Sequence, residues 1–395
     1  MHPKPLFWCR FAAAALLLLG AFSSLAQSAE PLAPRAEPAA LAPTVEQRLA
    51  AIEAYLANGD PTVALRDGHG AVPAGLTTPA ESVPGPAHNT WMMVSAALVI
   101  LMTLPGLGLF YGGLVRTKNV LSVIAWCFGI TSWVTVLWWA VGYSLVFGKN
   151  FGSGVLGGSE FFFFRGVGSA ANPDYSFWVS HNVFTMFQLA FAIITPAVLI
   201  GAVVERMKFA AVMAFSTLWL LLVYCPIAHW VWGGGWLSQL GTSLGLGHGA
   251  VDFAGSGVVH AMGGVAAFWG AKILGPRIGK FDKDGKPRAI PGHHIPAAFL
   301  GTMILLVGWM GFNGASTFAA TDFRFTVVIV NTILAAAFGC LATMFVMWGK
   351  YGKPDPSMTC NGLLAGLVAI TAPCAFVAPW AAALIGLVAG LLVVL

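Results

Sequence analysis

The chain has 395 residues, of which 58% are hydrophobic and only 9% are charged, and its mean hydropathy is +0.80. A soluble domain carries about 25% charged residues, so this composition excludes an ordinary soluble protein and indicates one whose surroundings are mostly lipid. The formal net charge of +5 would suit a nucleic-acid-binding protein. The basic residues, however, form short clusters between apolar segments, where they indicate membrane topology, so we expect no nucleic-acid partner.

The first 26 residues have the pattern of a signal peptide. Lys4 and Arg10 lead into an apolar segment at 11–22, and the small residues Ser24 and Ala26 mark a cleavage site. The apolar segment is shorter than the roughly 20 residues that a spanning helix needs. We therefore expect removal of residues 1–26 and a mature N-terminus outside the cytoplasm.

Residues 27–88 are rich in proline and alanine and form an expected extracytoplasmic extension. One short helix is predicted inside it, in TVEQRLAAIEAYLANG, where Thr44 and Gln47 match a capping box. One face of this helix is apolar: Val45, Leu49, Ile52 and Leu56. That face either helps protomers associate or lies against the main body of the protein, and the second interpretation is preferred.

From residue 89 to residue 395 the chain alternates apolar segments with short polar breaks, and we expect this transmembrane domain to be one unit. Nine spans are predicted: 90–112, 120–147, 177–203, 209–232, 253–274, 294–314, 325–348, 361–377 and 379–395. Because lipid offers no partner to unpaired backbone groups, the spans must be helices. The predicted fold class is an all-α polytopic membrane protein.

Lysine and arginine are concentrated in the breaks that follow the odd-numbered spans. They are Arg116, Lys118, Arg206, Lys208, Arg277, Lys280, Lys283, Lys286, Arg288, Lys350 and Lys353. The other breaks contain only Lys149, Arg165 and Arg324. The positive-inside rule places the odd breaks in the cytoplasm and the N-terminus outside, as the signal peptide also predicts. We expect a multi-pass protein of the inner (plasma) membrane.

Polar side chains within the spans are the first candidates for function, because charge inside a membrane is costly. In DFAGSGVVHAMGGVAAFWGA, Asp252 lies at the start of the fifth span and His260 well inside it. Eight residues of helix separate them by about 12 Å, so they cannot touch. Asp252 is a good helix cap and would also attract a cation. His260 is either hydrogen-bonded to a neighbouring helix or a polar station in a conduction path.

Aromatic residues are the second group of candidates. Trp232, in HWVWGGGW, belongs either to an interfacial aromatic belt or to a site that holds a cation over its ring. Phe187 and Phe191 are four residues apart and share a helix face, as do Phe312 and Ser316 in GWMGFNGAS. Packing against lipid or neighbouring helices is the alternative for each.

Enzymatic activity is not expected. The sequence has no Walker loop, HExxH or CxxC motif, and its six cysteines suit buried apolar positions. The adjacent pair His293 and His294 is a weak candidate for metal binding. An enzyme that used Asp252 and His260 is disfavoured because no nucleophile or metal set accompanies them, so we expect no cofactor and no metal.

Several motifs together resemble the ammonium transporter family, Amt/Mep/Rh, and in particular its bacterial Amt branch. They are FYGGLVRTKNVLS, GAVVERMKF, PIAHWVWGGG, DFAGSGVVH and GWMGFNGAS, in the order of the family. The resemblance implies an inverted-repeat bundle of eleven helices with the N-terminus outside, one pore per protomer and a homotrimer. Nine of the eleven helices are expected here, with the domain truncated at its C-terminus.

The resemblance also implies roles for individual residues. The outer substrate-binding site would comprise Trp232, Phe191 and Ser316, with Asp252 nearby and Phe187 lining the vestibule. The pore gate would be Phe191 with Phe312. His260 would be the first of two pore histidines, and Thr371 would lie near the inner exit. The second histidine belongs to the family's tenth helix, which has no counterpart among the nine spans.

The function implied is ammonium uptake. Aromatic faces and the serine hydroxyl would collect NH4⁺, and a dry pore would then penalise the bare ion, so that passage is easiest as ammonia with imidazole as a polar step. The alternatives are an ammonium sensor or signalling membrane protein, and a non-conducting fragment. A PII-type cytoplasmic regulator is a candidate partner.

Overall fold

The computed structural model describes residues 43–56, 65, 85–151, 154–172, 174–245, 249–320 and 324–395. The expected signal peptide at 1–26 and most of the extension at 27–88 lie outside these residues. The short helix predicted in the extension is confirmed at Val45–Leu56. Its capping box is also confirmed, because the Thr44 N–H donates to Gln47 Oε1 (2.9 Å) and the Gln47 N–H donates to Thr44 Oγ1 (3.2 Å).

Three side chains on the apolar face of this helix are exposed to solvent. Val45 is 72% exposed, and Leu49 and Ile52 are each 54% exposed. The preferred interpretation, in which this face lies against the main body, is therefore wrong for these three side chains, since a packed face would lose most of its accessible surface.

Seven of the described helices are long and apolar enough to cross a bilayer. These first seven spans are Ala87–Leu114, Thr117–Phe147, His181–Val203, Phe209–Trp232, Ser256–Leu274, Ile295–Thr317 and Arg324–Tyr351. Two shorter apolar helices follow, Pro356–Ile370 and Pro379–Leu392, which we call the eighth and ninth helices. The nine predicted spans thus correspond to nine apolar helices among the described residues. Seven of these helices are long enough to cross a bilayer, and the last two are shorter.

The eighth helix differs most from its predicted bounds of 361–377. It begins five residues earlier because Asp355 caps it, accepting a hydrogen bond from the Met358 N–H (2.8 Å), and Pro356 occupies its first turn. It ends at Ile370, close before Pro373, since a proline disfavours helical backbone at the preceding residue. The predicted bounds followed apolar length alone, which reveals neither the cap nor the proline.

Two small antiparallel ladders precede the third span. Strand β1 (Asn150–Phe151) pairs with β2 (Leu156–Gly157), and β3 (Ala171–Asn172) pairs with β4 (Ser176–Ser180). Short helical turns also occur outside the spans, at Phe162–Phe164 and Leu240–Leu244. The third span therefore begins at His181 and not at 177.

The start of the third span is fixed by a side chain of the first span. The Ser180 N–H donates to Asn89 Oδ1 and Asn89 Nδ2 donates to Ser180 Oγ, both at 2.9 Å. These two bonds hold the end of β4 in extended conformation, which explains why an apolar stretch there is a strand.

The third span lies at the centre of the bundle. In the most apolar 18-residue stretch of this span, 83% of the residues are buried. The corresponding share in the other six spans is 28–50%. It contacts the first, second and fifth spans. Side chains on this helix therefore face other helices on nearly every side, and Phe187 and Phe191 are among them.

Small residues bring the last helices against the seventh span. A Cβ placed on Gly366 or Gly386 would collide with the Ala335 carbonyl, and one on Gly390 would collide with the Gly339 carbonyl. These glycines allow close backbone approach where larger residues would force the helices apart.

Candidate functional site

One cavity of about 340 Å³, the Trp232 cavity, lies where the second, fourth and sixth spans end and the third and fifth begin. Its lining includes the five predicted substrate-site residues: Trp232, Phe191, Phe187, Ser316 and Asp252. These residues come from four separate stretches of the chain. The structure therefore brings together all the side chains that the sequence grouped at one site.

Aromatic rings form the inner part of this cavity. The Trp232 and Phe191 ring centroids lie 5.9 Å apart at 87°, and those of Phe187 and Phe191 lie 4.9 Å apart at 60°. The Trp232 indole is held in place because its Nε1–H donates to the Asp252 carbonyl (2.7 Å). Both pairs pack edge to face, and the face of an aromatic ring attracts a cation.

Ser316 provides a hydrogen-bond acceptor beside the rings. Its Oγ donates to the Phe312 carbonyl (2.9 Å), one helical turn earlier. The proton of the hydroxyl is thereby used inside the helix, so the oxygen lone pairs remain able to accept from a bound donor.

Asp252 caps the fifth span. Its Oδ1 accepts from the Gly255 N–H, and its Oδ2 accepts from the Gly257 and Val258 N–H groups, all at 2.8 Å. The chain turns here through Gly255, whose φ of +118° is readily adopted only by glycine. The cap predicted from the sequence is confirmed, and the carboxylate adds a negative charge to the cavity through its field.

His260 lies in an irregular first turn of the fifth span. The backbone there is π-helical, and the His260 N–H donates to the Gly255 carbonyl five residues earlier (3.1 Å). Such turns recur at functional sites because they re-aim one side chain. The imidazole is 7% exposed, and its Nε2 has no hydrogen-bond partner among the described residues. One interpretation of the sequence was that His260 is hydrogen-bonded to a neighbouring helix. Its Nε2 atom makes no such bond to the described residues.

Two rings separate His260 from the Trp232 cavity. The centroids of Phe191 and Phe312 lie 4.2 Å apart, and both side chains are buried. On the other side, the imidazole stacks on Phe312 (5.6 Å, 23°) and on Trp309 (5.2 Å, 25°). The order from the cavity inward is therefore the Phe191–Phe312 pair and then the imidazole.

Thr371 does not lie where the sequence placed it. Its carbonyl accepts from the Ala254 N–H (3.2 Å), two residues after Asp252. Its hydroxyl accepts from Trp309 Nε1–H (2.9 Å) and donates to the Leu367 carbonyl (2.7 Å). Thr371 is thus at the Asp252 end of the fifth span, not near an inner exit, because the eighth helix ends at that level.

Three residues of this region were not predicted from the sequence: Trp309, Phe318 and Gln188. Trp309 was readable in GWMGFNGAS, since it precedes Phe312 by three residues and so shares its helix face. Phe318 lines the cavity and its ring lies 6.2 Å from that of Phe187. Its left-handed φ of 57° follows the end of the sixth span, a feature that side-chain spacing does not reveal.

The histidine pair at 293 and 294 has structural partners. His293 Nδ1 lies 3.0 Å from the Val115 carbonyl, and His294 Nδ1 accepts from the Ala297 N–H (3.0 Å), which caps the sixth span. Among the described residues, no group of three or more histidine, cysteine or acidic side chains is arranged to hold a metal ion.

A second cavity, the Arg277 cavity, has a volume of about 370 Å³. Its lining residues include Tyr111, Gly201, Ala267, Arg277 and Asn361. Tyr111 is fixed there because its hydroxyl donates to the Val198 carbonyl (2.9 Å), and Gly201 leaves room for the ring, which a Cβ would strike.

The fold and the site together define a polytopic helical membrane protein in which an aromatic cavity leads to a buried histidine. A model of the Ammonium Transporter Family matches residues 90–395. The ammonium transporter Amt2 of Archaeoglobus fulgidus is 42% identical over 323 residues, covering 81% of this chain and 67% of that protein. An ammonium transporter of Bacillus subtilis is 43% identical over 302 residues, covering 76% and 70%.

Solved structures give the same result. A sensor Amt protein superposes with a TM-score of 0.70 at 32% identity, covering 78% of this chain and 73% of that one. Candida albicans Mep2 superposes with a TM-score of 0.69 at 37% identity, covering 78% and 65%. The chain belongs to the ammonium transporter family, which confirms the resemblance and the fold class, and it spans about two thirds of the length of these relatives.

Proposed function

We propose that this chain takes up ammonium, binding NH4⁺ in the Trp232 cavity and passing it as ammonia between Phe191 and Phe312 to His260. One observation carries the proposal. Five side chains suited to holding a small cation line a single cavity, and that cavity is separated only by two touching rings from a buried imidazole.

Binding would combine three contributions. The Trp232 and Phe191 rings attract the cation, the Ser316 oxygen accepts one of its N–H groups, and the Asp252 carboxylate attracts it at longer range. Phe187 completes the aromatic lining. Ammonium differs from potassium here because it donates hydrogen bonds and can lose a proton.

Passage beyond the rings would favour the neutral molecule. Phe191 and Phe312 are buried, and a bare ion among such groups carries a large desolvation cost. Ammonia avoids that cost and still forms hydrogen bonds. His260 would supply one through Nε2, acting as a polar step or a proton relay.

Orientation, processing and assembly are part of the proposal. The basic breaks and the pattern of residues 1–26 support cleavage of a signal peptide, an extracytoplasmic extension at 27–88, and insertion in the inner membrane with the Trp232 cavity outside. The family supports a homotrimer of the transmembrane domain at 89–395. Membership of this family also makes a PII-type protein the first cytoplasmic partner to test.

The decisive experiment is flux through the purified chain. Proteoliposomes should take up labelled methylammonium faster than protein-free liposomes, and unlabelled ammonium should compete while sodium should not. A matched pair of variants tests the route: Ser316→Ala removes the acceptor in the Trp232 cavity, whereas Ser238→Ala changes a serine outside it. Equal saturation curves for both variants would remove Ser316 from the site.

A sensor is the second candidate, because one similar structure is described as a sensor Amt protein. The same experiment separates the two functions. Uptake no faster than in protein-free liposomes, together with saturable binding of ammonium, would replace transport by sensing. Absence of both would favour the non-conducting alternative.

A further inference from the structure

The Arg277 cavity lies beyond His260 along one face of the fifth span. Ala267, which lines it, follows His260 by seven residues, so the two side chains share a helix face and are separated by about 10 Å along the axis. The other walls come from the ends of the first and third spans and from Asn361 in the eighth helix. The Arg277 cavity therefore lies on the same face of the fifth span as His260, at the opposite end of that span from Asp252.

A buried carboxylate organises this end of the bundle. The Glu205 side chain is 3% exposed, and its Oε1 accepts from the Arg116 N–H (3.0 Å) and from Asn119 Nδ2 (2.8 Å). Its Oε2 lies 3.5 Å from Arg277 Nη1 and 3.9 Å from Arg116 Nε. Glu205 thus ties together the polar breaks after the first, third and fifth spans.

The charge around this carboxylate is positive in total. Arg206 adjoins Glu205 in sequence, and its guanidinium donates to the Gly275 carbonyl (2.6 Å) and to the Ala202 carbonyl. Two guanidinium groups therefore pair with one carboxylate, and Arg277 lines the cavity itself. The Arg206 guanidinium lies close enough to both Glu205 and Arg277 to interact with them electrostatically. The arginine side chains are held in place by backbone carbonyls and by one carboxylate. A single carboxylate cannot neutralise all of their positive charge.

We propose that Arg277 makes the Arg277 cavity a cation-repelling exit, which releases ammonia and slows recapture of ammonium from the cytoplasm. The inference rests on the proposed function. The guanidinium field does not act on neutral ammonia, but it disfavours a protonated molecule within a few ångströms. Reprotonation then takes place in the cytoplasm, and ammonium there has a lower occupancy at the mouth. The fixed charge of Arg277 raises the apparent KM for ammonium at the cytoplasmic face. It does not change the equilibrium distribution of substrate across the membrane.

The test measures apparent KM at each face with labelled methylammonium, using right-side-out spheroplasts and inverted membrane vesicles. Arg277→Gln should lower the KM at the cytoplasmic face by about three- to tenfold and leave the KM at the outer face unchanged. Arg277→Lys, which keeps the charge, should resemble the wild type. Lys283→Gln, an exposed basic residue of the same loop, should change neither value.

Two outcomes overturn the proposal: an unchanged cytoplasmic KM in Arg277→Gln, or an equal change at both faces. If that variant fails to fold, the wild type itself decides, because raising ionic strength screens the field and should lower the cytoplasmic KM. A cytoplasmic KM that does not respond to salt would also reject the proposal. Absence of transport at either face in the wild type would instead reject the proposed function.

Discussion

The imidazole of His260 stacks on the ring of Phe312, with centroids 5.6 Å apart and 23° between the planes. The opposite neighbour of Phe312 is Phe191, at 4.2 Å. A molecule that passes between the two phenylalanine rings would therefore meet the imidazole next. Because His260, Phe312 and Phe191 are neighbours, substitution of His260 should act on passage beyond the rings.

Replacing His260 should reduce flux without unfolding the protein. His260→Ala removes a hydrogen bond of about 1–1.5 kcal/mol in an apolar setting, so we expect a fall in flux of about tenfold. His260→Gln keeps hydrogen-bonding atoms but cannot relay a proton. Methylammonium uptake by both variants, with melting temperatures in detergent as the folding control, measures the effect.

The two variants separate the two roles of the imidazole. Substantial flux in His260→Gln combined with a loss in His260→Ala would indicate a polar step, and equal losses would indicate a proton relay. Unchanged flux and unchanged proton dependence in both would exclude His260 from the route.

Trp232→Leu should weaken substrate binding. A cation–π contact contributes about 0.5–2 kcal/mol, so apparent KM should rise roughly two- to thirtyfold. Trp230→Leu is the matched control, because the Trp230 indole donates to the Val155 carbonyl instead and does not line the Trp232 cavity. The same saturation curve for wild type and Trp232→Leu would remove the aromatic site.

Asp252→Ala should lower stability, because three N–H groups at the start of the fifth span lose their acceptor. We expect a loss of about 2–4 kcal/mol in the free energy of unfolding. Asp252→Asn retains one carboxamide oxygen and should lose less. Thermal unfolding followed by size-exclusion in detergent tests the order wild type, Asn, Ala, and equal melting temperatures for all three would show that the cap contributes nothing.

Stability should depend on pH through Glu205. Burial by itself raises the pKa of this carboxyl. The opposing effect is larger: the pKa is lowered by hydrogen bonds from the Arg116 N–H and the Asn119 amide and by the guanidinium groups of Arg116 and Arg277. The pKa of Glu205 therefore lies below its usual value of 4.5. The folded state therefore favours the charged form. The resulting stabilisation is complete above about pH 4.5 and is lost as pH falls through the lowered pKa.

Glu205→Gln provides the measurement for this effect. The difference in melting temperature between wild type and Glu205→Gln should be constant near neutral pH and shrink below about pH 4.5. Asp284→Asn, on the exposed loop after the fifth span, serves as the control. A difference that grows on acidification would contradict the assigned direction of the shift.

Local sequence was sufficient for much of the candidate site. The spacing of four between Phe187 and Phe191, and between Phe312 and Ser316, correctly placed each pair on one helix face. The position of Asp252 before an apolar segment correctly indicated a helix cap. These predictions succeeded because they depend only on helical geometry within one segment.

Other parts of the site could not be read locally. Helix spacing shows that Trp309 shares a face with Phe312, but not that its indole stacks on His260 and donates to Thr371. The position of Thr371 at the Asp252 end of the fifth span likewise depends on how the eighth helix packs. From the sequence, Arg277 indicates only membrane topology, yet it lines a cavity together with residues of the first, third and fifth spans and of the eighth helix. Each of these placements depends on which helices pack together, and side-chain spacing within one helix carries no information about that.

The sequence by itself determined that this is a helical membrane protein, because long apolar segments in lipid must satisfy their backbone hydrogen bonds internally. Its motifs also indicated the ammonium transporter family. Only the tertiary structure decided that residues as distant as Phe191 and Ser316 line one cavity, that two rings close it, and that a second cavity edged by Arg277 lies beyond His260. Those relationships follow from long-range packing of the helices, in which glycines and buried side chains select the neighbours of each span.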